Sequence, residues 1–199
     1  DIYGRQLDAD GGFGAAEFVI AQDTDAQAFP AVAWNDSDNE YLVAWQDYRT
    51  SGTTGADIYG RRVGASSNVL GSDFIISSAA GVTHQLHPAV VYVQSADRYR
   101  VVWDDDRDSA PKGTGYDVRG RWVTSAGAVV GIFDDIVIRQ MGWQQYPALV
   151  YSEGFDQALT VWHDGRSGVE YDVYGTFSAL DTDPPTARFT VDDRWGEAG

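Results

Sequence analysis

Trp45-Gln46-Asp47-Tyr48-Arg49, followed by Asp57-Ile58-Tyr59-Gly60, is the stretch that decides the fold, because the chain writes it twice more. The second copy is Trp103-Asp104-Asp105-Asp106-Arg107 with Asp117-Val118-Arg119-Gly120. The third is Trp162-His163-Asp164-Gly165-Arg166 with Asp172-Val173-Tyr174-Gly175, and Asp1-Ile2-Tyr3-Gly4 is an orphan of the latter half. The leading aspartates stand 56, 60 and 55 positions apart. Such self-similarity marks an array of like units rather than one irregular domain.

A second fixed element lies upstream in each unit: Gln, two residues, Pro, Ala and then Val or Leu, at Gln27 to Val32, Gln85 to Val90 and Gln144 to Leu149. From its Pro to the Trp is 15 residues in all three copies. Constant spacing predicts a hairpin of fixed register, Pro30–Trp34 against Tyr41–Trp45 across the turn-rich Asn35–Asn39. A third strand is expected at Asp57–Val63 and a fourth at Phe74–Ser77. The second strand is apolar on both faces near its end (Val43-Ala44-Trp45, Val101-Val102-Trp103), so each sheet is covered on both sides. Four-stranded antiparallel sheets stacked around an axis are propeller blades. The small residue after each Pro (Ala31, Ala89, Ala148) suits a crowded innermost strand. Gly4, Gly60, Gly120 and Gly175 are expected where a large ring, that of the repeated Trp, lies against the backbone.

The expected fold is therefore all-β, a β-propeller-type array of about three and a half repeats, part of a larger or oligomeric assembly. The units divide as 1–26 (half a blade, its last two strands), 27–84, 85–143 and 144–180. A linker follows at 181–199, opening on Asp181-Thr182-Asp183-Pro184-Pro185.

These motifs resemble the repeats of bacterial secreted or cell-surface proteins built from propeller-like units. The match runs through Gln27 to Ala33, Tyr41 to Asp47 and Asp57 to Arg62 and covers about residues 1 to 178. Arg5, Arg61 and Arg121 fit the pattern, and Thr176 departs from it. The resemblance implies an extracellular or cell-surface setting, often beside adhesion modules, and no defined catalytic residue. Pro185 to Asp192 resembles the opening strand of a PKD-type module.

With 30 acidic residues against 14 basic, the formal charge is −16, which disfavours nucleic acid because polyanion binding needs a basic surface. Of the acids 25 are Asp, and Lys112 is the sole lysine. Turn chemistry favours Asp, and an acidic surface also suits salt- or calcium-rich water. No apolar run approaches the roughly 18 residues of a membrane span. There is no Cys, so neither a disulfide nor a thiolate metal site is available.

The repeated set (Trp45, Asp47, Arg49, Asp57; Trp103, Asp105, Arg107, Asp117; Trp162, Asp164, Arg166, Asp172) is expected to be scaffold, its guanidinium bridging the two carboxylates of each unit. Departures from the repeat are better functional candidates. Asp104, Asp106 and Asp108 surround the common Asp105 and offer oxygen ligands to calcium. Trp122 and Trp143 have no Trp counterpart in the other units and, with Tyr48 and Tyr116, could stack on sugar rings. His84 and His87 flank Gln85 at a spacing that would hold a metal on a helix, and strand context argues for a loop role. The leading functional expectation is a noncatalytic extracellular binding or structural module, with other copies, other domains of a parent protein, or glycans as partners. The alternative is a secreted carbohydrate-active enzyme, glycosidase-like and calcium-bearing, with paired carboxylates across a cleft.

Overall fold

The computed structural model describes residues 1–108 and 115–179. Among these, thirteen strands form four antiparallel sheets. β1 (Ile2–Gly4) pairs with β2 (Phe18–Ala21). β3 (Gln27–Asn35), β4 (Glu40–Asp47), β5 (Asp57–Gly64) and β6 (Val69–Ser77) form a four-stranded meander. A second meander comprises β7 (Gln85–Val93), β8 (Arg98–Asp105), β9 (Asp117–Thr124) and β10 (Val129–Ile138). The last sheet has three strands, β11 (Gln144–Ser152), β12 (Gln157–Asp164) and β13 (Asp172–Ala179). The expected linker and PKD-like opening at 181–199 lie outside the described residues. No helix among the described residues is long and apolar enough to cross a membrane.

Register places the repeated motif at one end of every sheet. Asp47 lies opposite both Gln27 and Asp57, Asp105 opposite Gln85 and Asp117, and Asp164 opposite Gln144 and Asp172. The hairpins do not run in unbroken register, as their constant spacing suggested. Each first strand slips just before its Ala, between Ala28 and Ala31, Leu86 and Ala89, and Gln145 and Ala148. The physical reason is the Pro within each slip, which has no N–H to give the ladder. The residue before it, Phe29, His87 or Tyr146, takes a left-handed φ of 52°, 49° or 53°.

The core lies between successive sheets, and β3, β7 and β11 pack side by side. Trp45 meets Ile2, Ile20 and Ala21 of the first sheet. Trp103 sits in a cluster with Leu42, Ala44, Ile58 and Ile76 of the meander before it, and Trp162 with Val102, Val118 and Ile138. Each Trp thus faces the preceding sheet, and all three are buried. The expected ring over the third-strand glycines is not that Trp. A Cβ on Gly4 would strike the Phe18 ring and Ile20, and one on Gly60 would strike Ile76 and Phe74, all from the fourth strand of the same unit. At Gly120 the close neighbour is the Arg100 guanidinium, and at Gly175 it is Val161.

The arginine after the glycine latches one sheet to the one before. Arg61 donates to the carbonyl of Ile20 at 2.8 Å and Arg121 to that of Ile76 at 3.1 Å. Thr176, in the corresponding position, is too short for such a reach and bonds instead to the carbonyl of Phe177.

Because Trp103 is wholly buried between two four-stranded sheets, Trp103→Ala is expected to cost about 3–5 kcal/mol of unfolding free energy in chemical denaturation. A loss under about 1 kcal/mol, the range of ordinary surface substitutions, would contradict that packing.

Candidate functional site at the motif end of the sheets

The Trp-x-Asp-x-Arg sets form clamps. Nε1 of Trp45, Trp103 and Trp162 donates to the Oδ2 of Asp47, Asp105 and Asp164 at 2.8, 3.1 and 2.9 Å. The Oδ1 of each Asp takes the backbone N–H of the Arg two residues on, at 2.9, 3.0 and 3.0 Å, and also its Nε. Nη2 of each Arg completes a bidentate pair. Burial pushes the Asp47 and Asp164 carboxyls up, but bonds from Arg and Trp outweigh it and hold both below the usual range.

The Asp that opens the third strand is not the second carboxylate of this clamp. Arg49 reaches Asp73 at 2.7 Å and Arg107 reaches Asp134 at 2.7 Å, both on the fourth strand. Asp57 instead accepts the hydroxyls of Thr50 and Thr54 at 2.6 and 2.8 Å. Asp172 is exposed. Asp117 has no hydrogen bond to either carboxylate oxygen among the described residues, and burial pushes it up to about 6 against the pull of Arg139 and Arg119.

Strand alternation turns the residue between Trp and Asp away from the clamp, toward the following sheet. These residues are Gln46, Asp104 and His163. Beside them stand the three rings that precede the prolines. Phe29 meets His87 edge-on at 4.7 Å between centroids, His87 lies 4.2 Å from Tyr146, Tyr146 lies 5.5 Å from His163, and His163 lies 6.4 Å from Tyr171. A row of rings therefore crosses three sheets at one end. Phe29, Tyr146 and Tyr171 are each more than half exposed.

His87 Nδ1 lies 3.0 and 3.1 Å from the two oxygens of Asp104, whose side chain is wholly buried. Burial raises the Asp104 carboxyl, and bonds from His87 and Gln145 pull the other way. Tyr116 is pushed up to about 12 by burial and by the charges of Asp106 and Asp104.

The expected calcium ligands are not brought together. Asp104 turns to His87, Asp106 accepts the backbone N–H of His84 at 2.6 Å, and Asp108 pairs with Arg119 at 2.5 Å and Arg139 at 3.3 Å. Alternation along the chain end and three separate protein donors account for the dispersal. Among the described residues no group of three or more His, Asp or Glu is placed to hold a metal ion. His84 and His87 also diverge, since His84 Nδ1 accepts the N–H of Ala56 at 3.2 Å.

The two unmatched tryptophans separate too. Trp143 is half exposed, packs edge-on to Tyr116 at 5.9 Å, and lines a cavity of about 280 Å³ with Gly142, Gly165, Gly168, Glu170 and Tyr171. Trp122 lies five residues along β9 from the motif end, under the Arg100 guanidinium at 5.3 Å. The ring row itself was missed in the sequence. Its signal was present, because the residue before each Pro is Phe, His or Tyr.

No family model and no curated protein sequence matches this chain. Solved structures do. An N-acetylgalactosamine deacetylase from F. plautii, solved with blood group B trisaccharide, superposes with a TM-score of 0.55 at 12% identity over 77% of this chain and 50% of that one. A thermostable family-43 glycoside hydrolase gives 0.55 at 8% identity over 85% and 63%. An exo-β-1,3-galactanase from Phanerochaete chrysosporium gives 0.54 at 9% identity over 88% and 40%. The chain thus spans about half the length of these proteins. Their likeness carries the fold, which in family 43 is a five-bladed β-propeller. They also correct the leading expectation of a noncatalytic binding or structural module, because the similar structures are enzymes acting on carbohydrates.

Two predictions follow from the carboxylates. If Asp106 serves His84 rather than a cation, a chelator should leave the melting temperature unchanged in the wild type and in Asp106→Ala alike. A chelator-induced drop that the substitution abolishes would show otherwise. A carboxyl raised in the folded state, such as Asp117, adds stability below its ordinary value of 3.8 and loses it as pH rises through about 6. Asp47 and Asp164, being lowered, act oppositely, and their contribution is lost only as pH falls below 3.8. Subtracting the Asp117→Asn stability curve from that of the wild type should therefore leave a difference that declines from about pH 4 to about pH 6. A flat difference would refute the assignment.

Proposed function

We propose that the protein is a secreted, propeller-type carbohydrate-active enzyme that takes its glycan at the motif end of the sheets. The observation that carries this is the row Phe29–His87–Tyr146–His163–Tyr171, which joins exposed rings from three sheets beside a buried carboxylate. Aromatic faces stack on the apolar faces of sugar rings, and Phe29, Tyr146 and Tyr171 of this row are each more than half exposed. The cavity between Trp143 and Tyr171 continues the row and brings in Glu170. The buried Asp104 carboxylate stands beside the row and pairs with His87 at 3.0 Å, which puts an acid-base group next to the rings.

The site is shared among repeats, so it is completed by whatever stands beside them. β1 and β13 each have one strand neighbour among the described residues. Unpaired edges of this kind are covered in stable proteins. Further copies of the chain, or other domains of a longer extracellular protein, supply the remaining strands in this reading.

A panel of plant, fungal and host glycans, scored for retention and for release of reducing ends, tests the proposal. Tyr146→Ala should weaken retention about tenfold, the loss of about 1.4 kcal/mol of stacking and burial. A panel with neither retention nor turnover by the intact protein would rule the proposal out.

A further inference from the structure

We propose that His87 is the proton-transfer residue of this site, with Asp104 as its positioning residue and Nε2 turned to the bound hydroxyl or water. The proposal rests on the carbohydrate reading for its substrate class, and on geometry alone for its chemistry. The position before Pro carries Phe29, His87 and Tyr146 in the three units, and the position between Trp and Asp carries Gln46, Asp104 and His163. The middle unit alone places an imidazole at the first and a carboxylate at the second. These departures lie 17 residues apart in sequence, yet they meet at 3.0 Å.

The imidazole is held by its own backbone and by its neighbours. Its backbone N–H donates to Gln46 Oε1 of the preceding sheet at 3.1 Å, and φ is 49°, a conformation costly for any residue with a Cβ. Phe29 abuts one side of the ring and Tyr146 the other. A buried carboxylate between two oxygens' reach of Nδ1 fixes the tautomer with the proton on Nδ1 and the lone pair on Nε2. No partner for Nε2 is found among the described residues, and 15% of the side chain stays open to solvent. His84 makes the contrast: its Nδ1 accepts the Ala56 N–H, which is a packing role and puts the proton on the other nitrogen.

In the step assigned here, an O–H bond of water or of a sugar hydroxyl breaks, the proton forms an N–H bond at Nε2, and the bonding pair stays on the oxygen. Asp104 remains a carboxylate and offsets the new imidazolium charge. The titratable groups around the ring are Asp104 from β8, Tyr146 from β11 and His163 beyond it on β12, with Tyr116 near Asp104 and Tyr146.

The test uses the intact protein labelled with nitrogen-15 histidine, and diethyl pyrocarbonate as the probe of imidazole reactivity. The nitrogen spectrum of neutral His87 should show Nε2 unprotonated, and in Asp104→Asn that preference for the proton on Nδ1 should weaken about tenfold. Mass spectrometry should find His87 modified at least about tenfold faster than His84. The opposite tautomer, or slow modification, overturns the proposal whatever the glycan panel shows. On any glycan that is turned over, His87→Gln should lower kcat by about a hundredfold or more with little change in KM, and an unchanged kcat also overturns it. Melting curves of both variants identify a loss that is merely of folding, in which case the wild-type spectrum and modification rates decide. Fast modification at His87 with no glycan turned over supports the proton-transfer site and overturns the carbohydrate reading alone.

Discussion

The clamp formed by Trp, Asp and Arg is the interaction on which the remaining structure depends. A carboxylate with no exposure to water is unfavourable unless its lone pairs are filled. Here an indole N–H, a backbone N–H and a guanidinium fill them in each of three units. The indole that donates is also the ring that seals the gap to the preceding sheet, so one residue serves the polar end and the apolar core together. The arginine's Nη2 continues to a fourth-strand carboxylate, Asp73 or Asp134, and thereby ties the second strand to the outermost one.

The clamp determines where chemistry can occur. With Trp and Asp both committed to the preceding sheet, the residue between them must face the following one. Gln46 uses this to hold the backbone of His87, and Asp104 uses it to reach the His87 ring while receiving Gln145 from the next sheet. Position 104 can vary without disturbing the scaffold on either side of it. The proline bulge does the same for the first strand, leaving the Pro and the ring-bearing residue before it out of the ladder.

Much of the fold was legible in sequence because it is repeated. Spacings of Trp, Asp, Pro and Gly gave the strand order, the four-strand unit and the burial of the tryptophans. What failed to show were features set by neighbours in space rather than along the chain. The partner of Gly60 is Ile76, not Trp45, because the fourth strand beside it supplies the close contact there. The Asp104, Asp106 and Asp108 cluster is a cluster only in sequence, since alternation and three separate donors disperse it. Trp143 lines a cavity and Trp122 does not, a difference that depends on which end of a strand each occupies. The ring row escaped notice because Phe, His and Tyr share shape rather than name.

The acidic composition acquires a physical account at the same time. Asp47, Asp105 and Asp164 serve the clamps, Asp73 and Asp134 extend them, Asp57 receives two threonine hydroxyls, and Asp106 caps the entry to β7. The clamp, threonine and β7-entry acceptors reach a donor within a turn or across a single strand pair, which suits the short side chain of Asp. Part of the preference for Asp is thus a property of the scaffold, and a formal charge of −16 is no guide by itself to calcium or to salt. Asp104 stands apart from this accounting. It lies beside a clamp without belonging to one, is as buried as the clamp carboxylates, and has an imidazole where they have a guanidinium. An imidazole, unlike a guanidinium, can exchange its proton, so the pair of His87 and Asp104 suits proton transfer where the clamps do not.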